Sequence, residues 1–166
     1  SWRRDGIGHQ HDTAIPGTDN KSASNVFTPD DILAGARPAG PVLIYDDDHY
    51  YMGGLIAEQI RADGLEVTLL TSAADVSTWT HATLEHTWIE QRLHEIGITI
   101  IEKHAITSIA PDAVEIAHVV SGRSRMLAAA SVVLVTSKIS NDALYHELTA
   151  DQDTLAAAGI TTLTRI

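Results

Sequence analysis

The chain has 166 residues, 44% of them hydrophobic, which is enough for one domain with a proper core. Its 22 acidic against 11 basic residues give a net charge of −11, which excludes nucleic acid and anionic membrane as partners, because phosphate contacts need clustered Lys and Arg. The absence of Cys excludes disulfides, thiol catalysis and cysteine-held iron–sulfur or zinc sites within this chain.

Residues 1–40 are rich in Gly, Pro, Asp, Ser and Asn and read as an ordered linker with little regular structure. One short helix is predicted from Pro29 to Gly35, with Thr28 as N-cap, Pro29 at the first helical position, and Asp30 and Asp31 at the positive end of the dipole. Residues 41–166 carry the α/β pattern. Val42–Tyr45 is an apolar strand, Leu55–Ala62 a helix, and Val67–Leu70 a second strand after the turn residue Gly64. A helix is predicted over Thr80–Ile96, with Leu84, Trp88, Ile89, Leu93 and Ile96 as its buried stripe and Gly97 closing it. Ile98–Ile101 is a third parallel strand. Ala105–Ile109, Ala113–Val120 and Arg125–Leu127 then alternate around turns at Pro111-Asp112 and Ser121-Gly122, as an antiparallel meander does. Ser131–Thr136 is a near-continuous apolar strand suited to a buried position. Short helices follow near Asp142–Leu148 and Asp151–Ala158, then a last strand over Ile160–Thr164. This order predicts an α/β fold: a Rossmann-like βαβαβ parallel sheet with a three-stranded antiparallel crossover, like FAD- and NAD(P)-binding domains.

The dinucleotide fingerprint is nevertheless absent. A working Gly-x-Gly-x-x-Gly lets the backbone approach a pyrophosphate at the helix N-terminus. Here Asp46 and Asp48 stand at the two leading glycine positions. An acidic ribose reader is wanted ~20 residues further on; the sequence has Thr71 and Ser72 there. Asp46, Asp48, Tyr51 and Thr71 therefore mark a degenerate site where no cofactor is expected, with Tyr50, Tyr51 and Met52 as packing in an unused crevice.

The run Tyr45-Asp46-Asp47-Asp48-His49-Tyr50-Tyr51-Met52-Gly53-Gly54, with Trp79-Thr80, Thr83-Leu84-Glu85 and Val133-Leu134-Val135-Thr136, resembles the trimethylamine/dimethylamine dehydrogenase family. The resemblance covers essentially the whole chain, and the acidic run is its specific part. It implies a parent with an FMN-bearing (β/α)₈ barrel, a 4Fe–4S cluster, and a neighbouring domain that holds ADP or FAD and from which residues 1–40 lead. It also implies an oligomeric parent that passes electrons to an electron-transferring flavoprotein and not to NAD(P). None of the family's catalytic, flavin-binding or cluster residues falls in this chain, so its catalytic set is none. The lack of an initiator Met is read as the mark of a domain inserted in a longer protein, with residues 6–24 poorly anchored. A cytoplasmic location is expected, since no apolar run reaches the ~20 residues of a bilayer span.

Other constellations give bland readings. Asp46, Asp47 and Asp48 are weak cation candidates, since hard cations take clustered carboxylates. Contiguous side chains diverge, so a turn that caps the next helix is preferred and no metal is expected. His81, His86, His94 and His104 lack metal-ligand spacing and read as surface histidines. Tyr50 and Trp79 are candidate partner-docking aromatics, with a buried plug as the other reading of Trp79. A receiver-like signalling module would need an Asp ending the third strand, and none occurs between Asp75 and Asp112. A live NAD(P)H-binding domain of the 2,4-dienoyl-CoA reductase type is the chief alternative, distinguished by nucleotide binding.

Overall fold

The computed structural model describes residues 1–18 and 24–164. A five-stranded, all-parallel sheet has the order β1-β8-β2-β3-β4, formed by β1 (Val26–Phe27), β8 (Ser131–Val135), β2 (Val42–Asp46), β3 (Val67–Thr71) and β4 (Thr99–Ile101). The antiparallel strands β5 (His104–Ile109), β6 (Ala113–His118) and β7 (Ser124–Ala128) form a sheet of their own. The fold expectation is corrected here. A Rossmann-type NAD(P)-binding fold is not what the chain displays; it is a parallel α/β sheet with a separate three-stranded sheet packed on one face. The strand–helix–strand pattern over residues 41–71 does form, but that pattern is common to α/β sheets and does not by itself specify a nucleotide fold.

Alternation on the parallel strands builds the core. Val42 and Ile44, Val67 and Leu69, and Val133 and Val135 face the layer with α1 (Pro29–Leu33) and α2 (Met52–Ala62). Leu43 and Tyr45, Leu70, Val132 and Leu134 face the opposite way, onto Ile106, Ile109, Val114 and Ile116 of the antiparallel sheet. Strands buried on both faces must be apolar at every position, and β2 and β8 are buried throughout. Thr28 and Asp31 cap α1 reciprocally, each side chain taking the other's backbone N–H.

Three further predictions change. The helix expected over 80–96 splits into a 3₁₀ turn (Thr78–His81) and α3 (His86–Glu95). Between them Leu84 is left-handed (φ +63°) and 86% exposed, and Trp88 is 74% exposed. Of the predicted stripe only Leu93 is fully buried, with Ile89 and Ile96 packed partly against the core. No strand forms over 160–164; α4 (Ala143–Thr149) and α5 (Gln152–Ala157) are followed by chain without regular secondary structure. Finally, residues 6–18 are firmly held. Ile7 O accepts from the backbone N–H and hydroxyl of Ser137 (3.2 and 2.6 Å), Ile109 N–H donates to Pro16 O (2.8 Å), and Ile15 is buried. Gly17, at φ +97°, lies so close to Ile109 that a β-carbon would stand 2.0 Å from its carbonyl oxygen. Residues 19–23 of that predicted linker lie outside the described residues. No helix among the described residues is long and apolar enough to cross a membrane.

Candidate functional site

The carboxyl ends of β2, β3 and β8 meet in a turn that begins at Asp46. Asp47 and Asp48 both donate their N–H to Val135 O (2.8 and 3.0 Å), folding the turn over the end of β8. Asp46 Oδ1 accepts from the His49 N–H (3.0 Å), which fixes His49 in the left-handed region at φ +60°. The three carboxylates then leave in different directions. Asp46 is fully buried and lies against Gly53 near the start of α2, where a β-carbon would stand 2.7 Å from its Cγ. Asp47, also buried, accepts from Gln10 N–H (2.9 Å) and Ser72 Oγ–H (3.1 Å). Asp48 reaches the surface and pairs with Lys138 Nζ at 3.1 Å. They do not converge on a cation.

Burial pushes the Asp46 carboxyl up to about 7; the His49 N–H bond opposes this, and the neighbouring Asp48 and Asp47 charges reinforce it. Its Oδ2 is buried without a partner. Burial lowers His49, against the pull of Asp47. His49 Nδ1 stands 3.3 Å from Thr71 Oγ1, and its Nε2 is 3.6 Å from Asp47 Oδ1. Hydroxyl, imidazole and carboxylate thus stand in a line, as in a nucleophile–base–acid triad, but Thr71 is fully buried and no substrate atom can reach its oxygen.

The other predicted residues lie further out. The Tyr51 hydroxyl donates to the Glu85 carboxylate and has Thr83 Oγ1 at 3.5 Å. Its ring is tilted against Tyr50 at 4.0 Å. Trp79 is 56% exposed, so it is no buried plug; its backbone N–H donates to His49 O (3.0 Å), tying the 3₁₀ turn to the acidic turn. Tyr51 also lines a surface cleft of about 340 Å³ with Glu58, Glu85, Trp88, Ile89 and Arg92.

The reading of His81 and His86 as scattered surface histidines is corrected here, because His86 is buried and the two form a cluster. His81 at the end of the 3₁₀ turn and His86 at the start of α3 stack with ring centroids 3.8 Å apart, and both face Asp75. The histidines are five positions apart, a spacing that no continuous helix brings to one face. Only the break at Leu84 brings them together.

The fold and these strand ends define an α/β domain of a particular kind. The family of OYE-like second alpha/beta domains matches residues 27–148, and the chain belongs to it. That assignment, with the separate antiparallel sheet, replaces the Rossmann-type reading. Dimethylamine dehydrogenase of Hyphomicrobium sp. (strain x) is 29% identical over 179 residues, covering 96% of this chain and 24% of that protein. The 6-hydroxypseudooxynicotine amine oxidase HisD from Pseudomonas geniculata N1 superposes with a TM-score of 0.90 at 42% identity, over 99% of this chain and 24% of the other. Histamine dehydrogenase from Rhizobium sp. 4-9 gives 0.88 and 40%, over 96% of this chain and 24% of the other. The chain therefore spans about a quarter of the length of these relatives. Within that class it belongs to the trimethylamine/dimethylamine dehydrogenase-like family.

Proposed function

We propose that this chain is a non-catalytic domain of a flavin- and iron–sulfur-containing amine dehydrogenase, and that its role is structural and partner-docking. The observation that carries this reading is the closure of the strand ends. In an open α/β sheet the ligand crevice lies outside the carboxyl ends of the strands. Here Asp46 fills the approach to α2 and Asp47 is committed to Gln10 and Ser72. A pyrophosphate brought there would meet carboxylates where it needs free N–H groups and positive charge. The chain has no Cys to ligate a cluster, so 4Fe–4S and FMN would be held by the rest of the protein, and no electron step is routed through these residues. Exposed Tyr50 and Trp79 are the surface we assign to docking, against the rest of the parent or an electron-transferring flavoprotein.

The test uses the full-length protein. It should oxidise a small N-methylated or primary amine and reduce an electron-transferring flavoprotein or an artificial acceptor, without reducing NAD(P)⁺. NADH and NADPH titrated by calorimetry should show no binding tighter than about 0.1 mM, which corresponds to about 5.4 kcal/mol. Amine-dependent NADH formation at the rate of acceptor reduction would replace this reading with the nicotinamide-dependent reductase.

A further inference from the structure

Asp75, His81 and His86 place one ligand atom each within 4.8 Å of the other two. His81 Nε2 is 2.9 Å from Asp75 Oδ2, and His86 Nε2 is 3.8 Å from the same oxygen. The second distance is too long for a hydrogen bond. His86 Nε2 is therefore a buried polar atom without a partner on a side chain only 7% exposed, and Asp75 Oδ1 is likewise buried and unpartnered. Each such atom costs about 1–3 kcal/mol if nothing satisfies it, and here two of them belong to a single cluster.

The surroundings fit a cation. The other ring nitrogen of His86 lies 3.9 Å from the Glu90 carboxylate, beyond hydrogen-bond reach but adding a further negative charge beside the cluster. The rings of His81 and His86 stack nearly parallel, at 17°, which holds the two side chains together on one side of Asp75. His81 is exposed and leaves a path in from solvent.

We propose that Asp75, His81 and His86 form a binding site for a divalent first-row transition ion of the zinc class, with two imidazole nitrogens, one carboxylate oxygen and a fourth position open to solvent. Imidazole with a single carboxylate suits Zn²⁺ and its neighbours and disfavours Mg²⁺ and Ca²⁺, which want oxygen shells. The ion would fasten the loop after β3 to the first turn of α3, across the left-handed Leu84. The site stands apart from the acidic turn and from the proposed amine chemistry, so either idea can fail alone.

Zn²⁺ is titrated into full-length protein dialysed against a chelator, followed by calorimetry and by thermal unfolding. The expected result is one site with a dissociation constant below about 10 µM. Affinity should fall at least about tenfold in His81→Ala and in Asp75→Asn, remain in His94→Ala, and weaken on acidification as the histidines protonate. His81→Ala removes an exposed side chain, and Asp75→Asn keeps the shape of the loop, so either variant reports on ligation in a folded protein. Mg²⁺ should not compete. Zn²⁺ binding that is absent in the wild type, or unchanged in both variants, overturns the proposal.

Discussion

Asp47 and Asp75 each face a histidine, and the chain treats them in opposite ways. Asp47 is buried at a strand end, and both its oxygens are taken: Gln10 N–H on one, Ser72 Oγ–H with nearby His49 on the other. Asp75 sits in a loop with one oxygen bonded to His81 and 3.8 Å from His86, and the other buried without a hydrogen-bond partner. Residues 2–18 explain the contrast. They run across the end of the sheet, and a β-carbon at Gly8 would stand 2.2 Å from Asp47 Oδ2, so the segment closes over the carboxylate and uses it. A carboxylate enclosed by its own chain is a structural tie, whereas one left with a bare oxygen beside unpartnered imidazole nitrogen retains the capacity to bind.

Substitutions can break or sharpen that contrast. The largest expected effect is at Asp46. Its carboxyl is raised from the usual range to about 7, so between about pH 4 and pH 7 the folded chain holds a proton that the unfolded chain has lost. Stability therefore falls as pH rises through that window. Asp46→Asn should abolish this slope and raise unfolding free energy at pH 8 by on the order of 4 kcal/mol, measured by urea melts at several pH values. A slope unchanged in the variant would show that Asp46 is not the titrating group. Asp47→Ala strands Gln10 N–H and releases the segment above it; a loss of about 3 kcal/mol is expected, against about 1 kcal/mol for Asp75→Ala in metal-free protein. Equal losses would erase the distinction. Gly53→Ala drives a β-carbon into the Asp46 carboxylate and should cost about 1–3 kcal/mol. In an Asp46→Ser background most of that cost should vanish, and a double-mutant cycle with no coupling would refute the contact. The smallest effect is expected at Trp79, whose exposed ring should tolerate Ala within about 0.5 kcal/mol. The same variant should slow acceptor reduction if that surface docks an electron partner.

Much of the sheet is legible because burial on both faces leaves no freedom. Val42–Tyr45 and Ser131–Val135 are apolar at almost every position, and the Thr28–Asp31 box announces α1 directly. The resemblance carried by the Asp46–Gly54 run is equally local. The class of fold was the harder matter. A strand–helix–strand pattern over 41–71 forms in many α/β sheets, and the glycines that would narrow it are replaced by Asp46 and Asp48. The region from Thr78 to Glu95 misleads for a different reason. Its apolar spacing fits a helix, but α3 rests on Gly54 through Ile89 and Leu93 and turns Trp88 outward, while Leu84 breaks the periodicity. With that break unseen, the approach of His81 to His86 cannot be read from spacing, and Asp75, in a loop, has no periodicity to reveal it. The divergence of Asp46, Asp47 and Asp48, in contrast, follows from three adjacent residues leaving a strand.

The sheet order β1-β8-β2-β3-β4 also governs when the chain can fold. β8 pairs with β1 on one side and β2 on the other, joining Val26 to Val132 and Val42 to Ser131. During synthesis β8 emerges some 85 residues after β2, the central strand of the sheet. At about 5–20 residues per second this interval lasts many seconds. Throughout it β2 presents an open, apolar edge, a template for pairing with another chain, and β1 has no sheet neighbour. Arrival of β8 closes both gaps in one long-range step, the kind of non-local pairing that slows folding. A nascent chain halted before Ser131 should bind chaperones and aggregate when released, whereas one carried past Val135 should not.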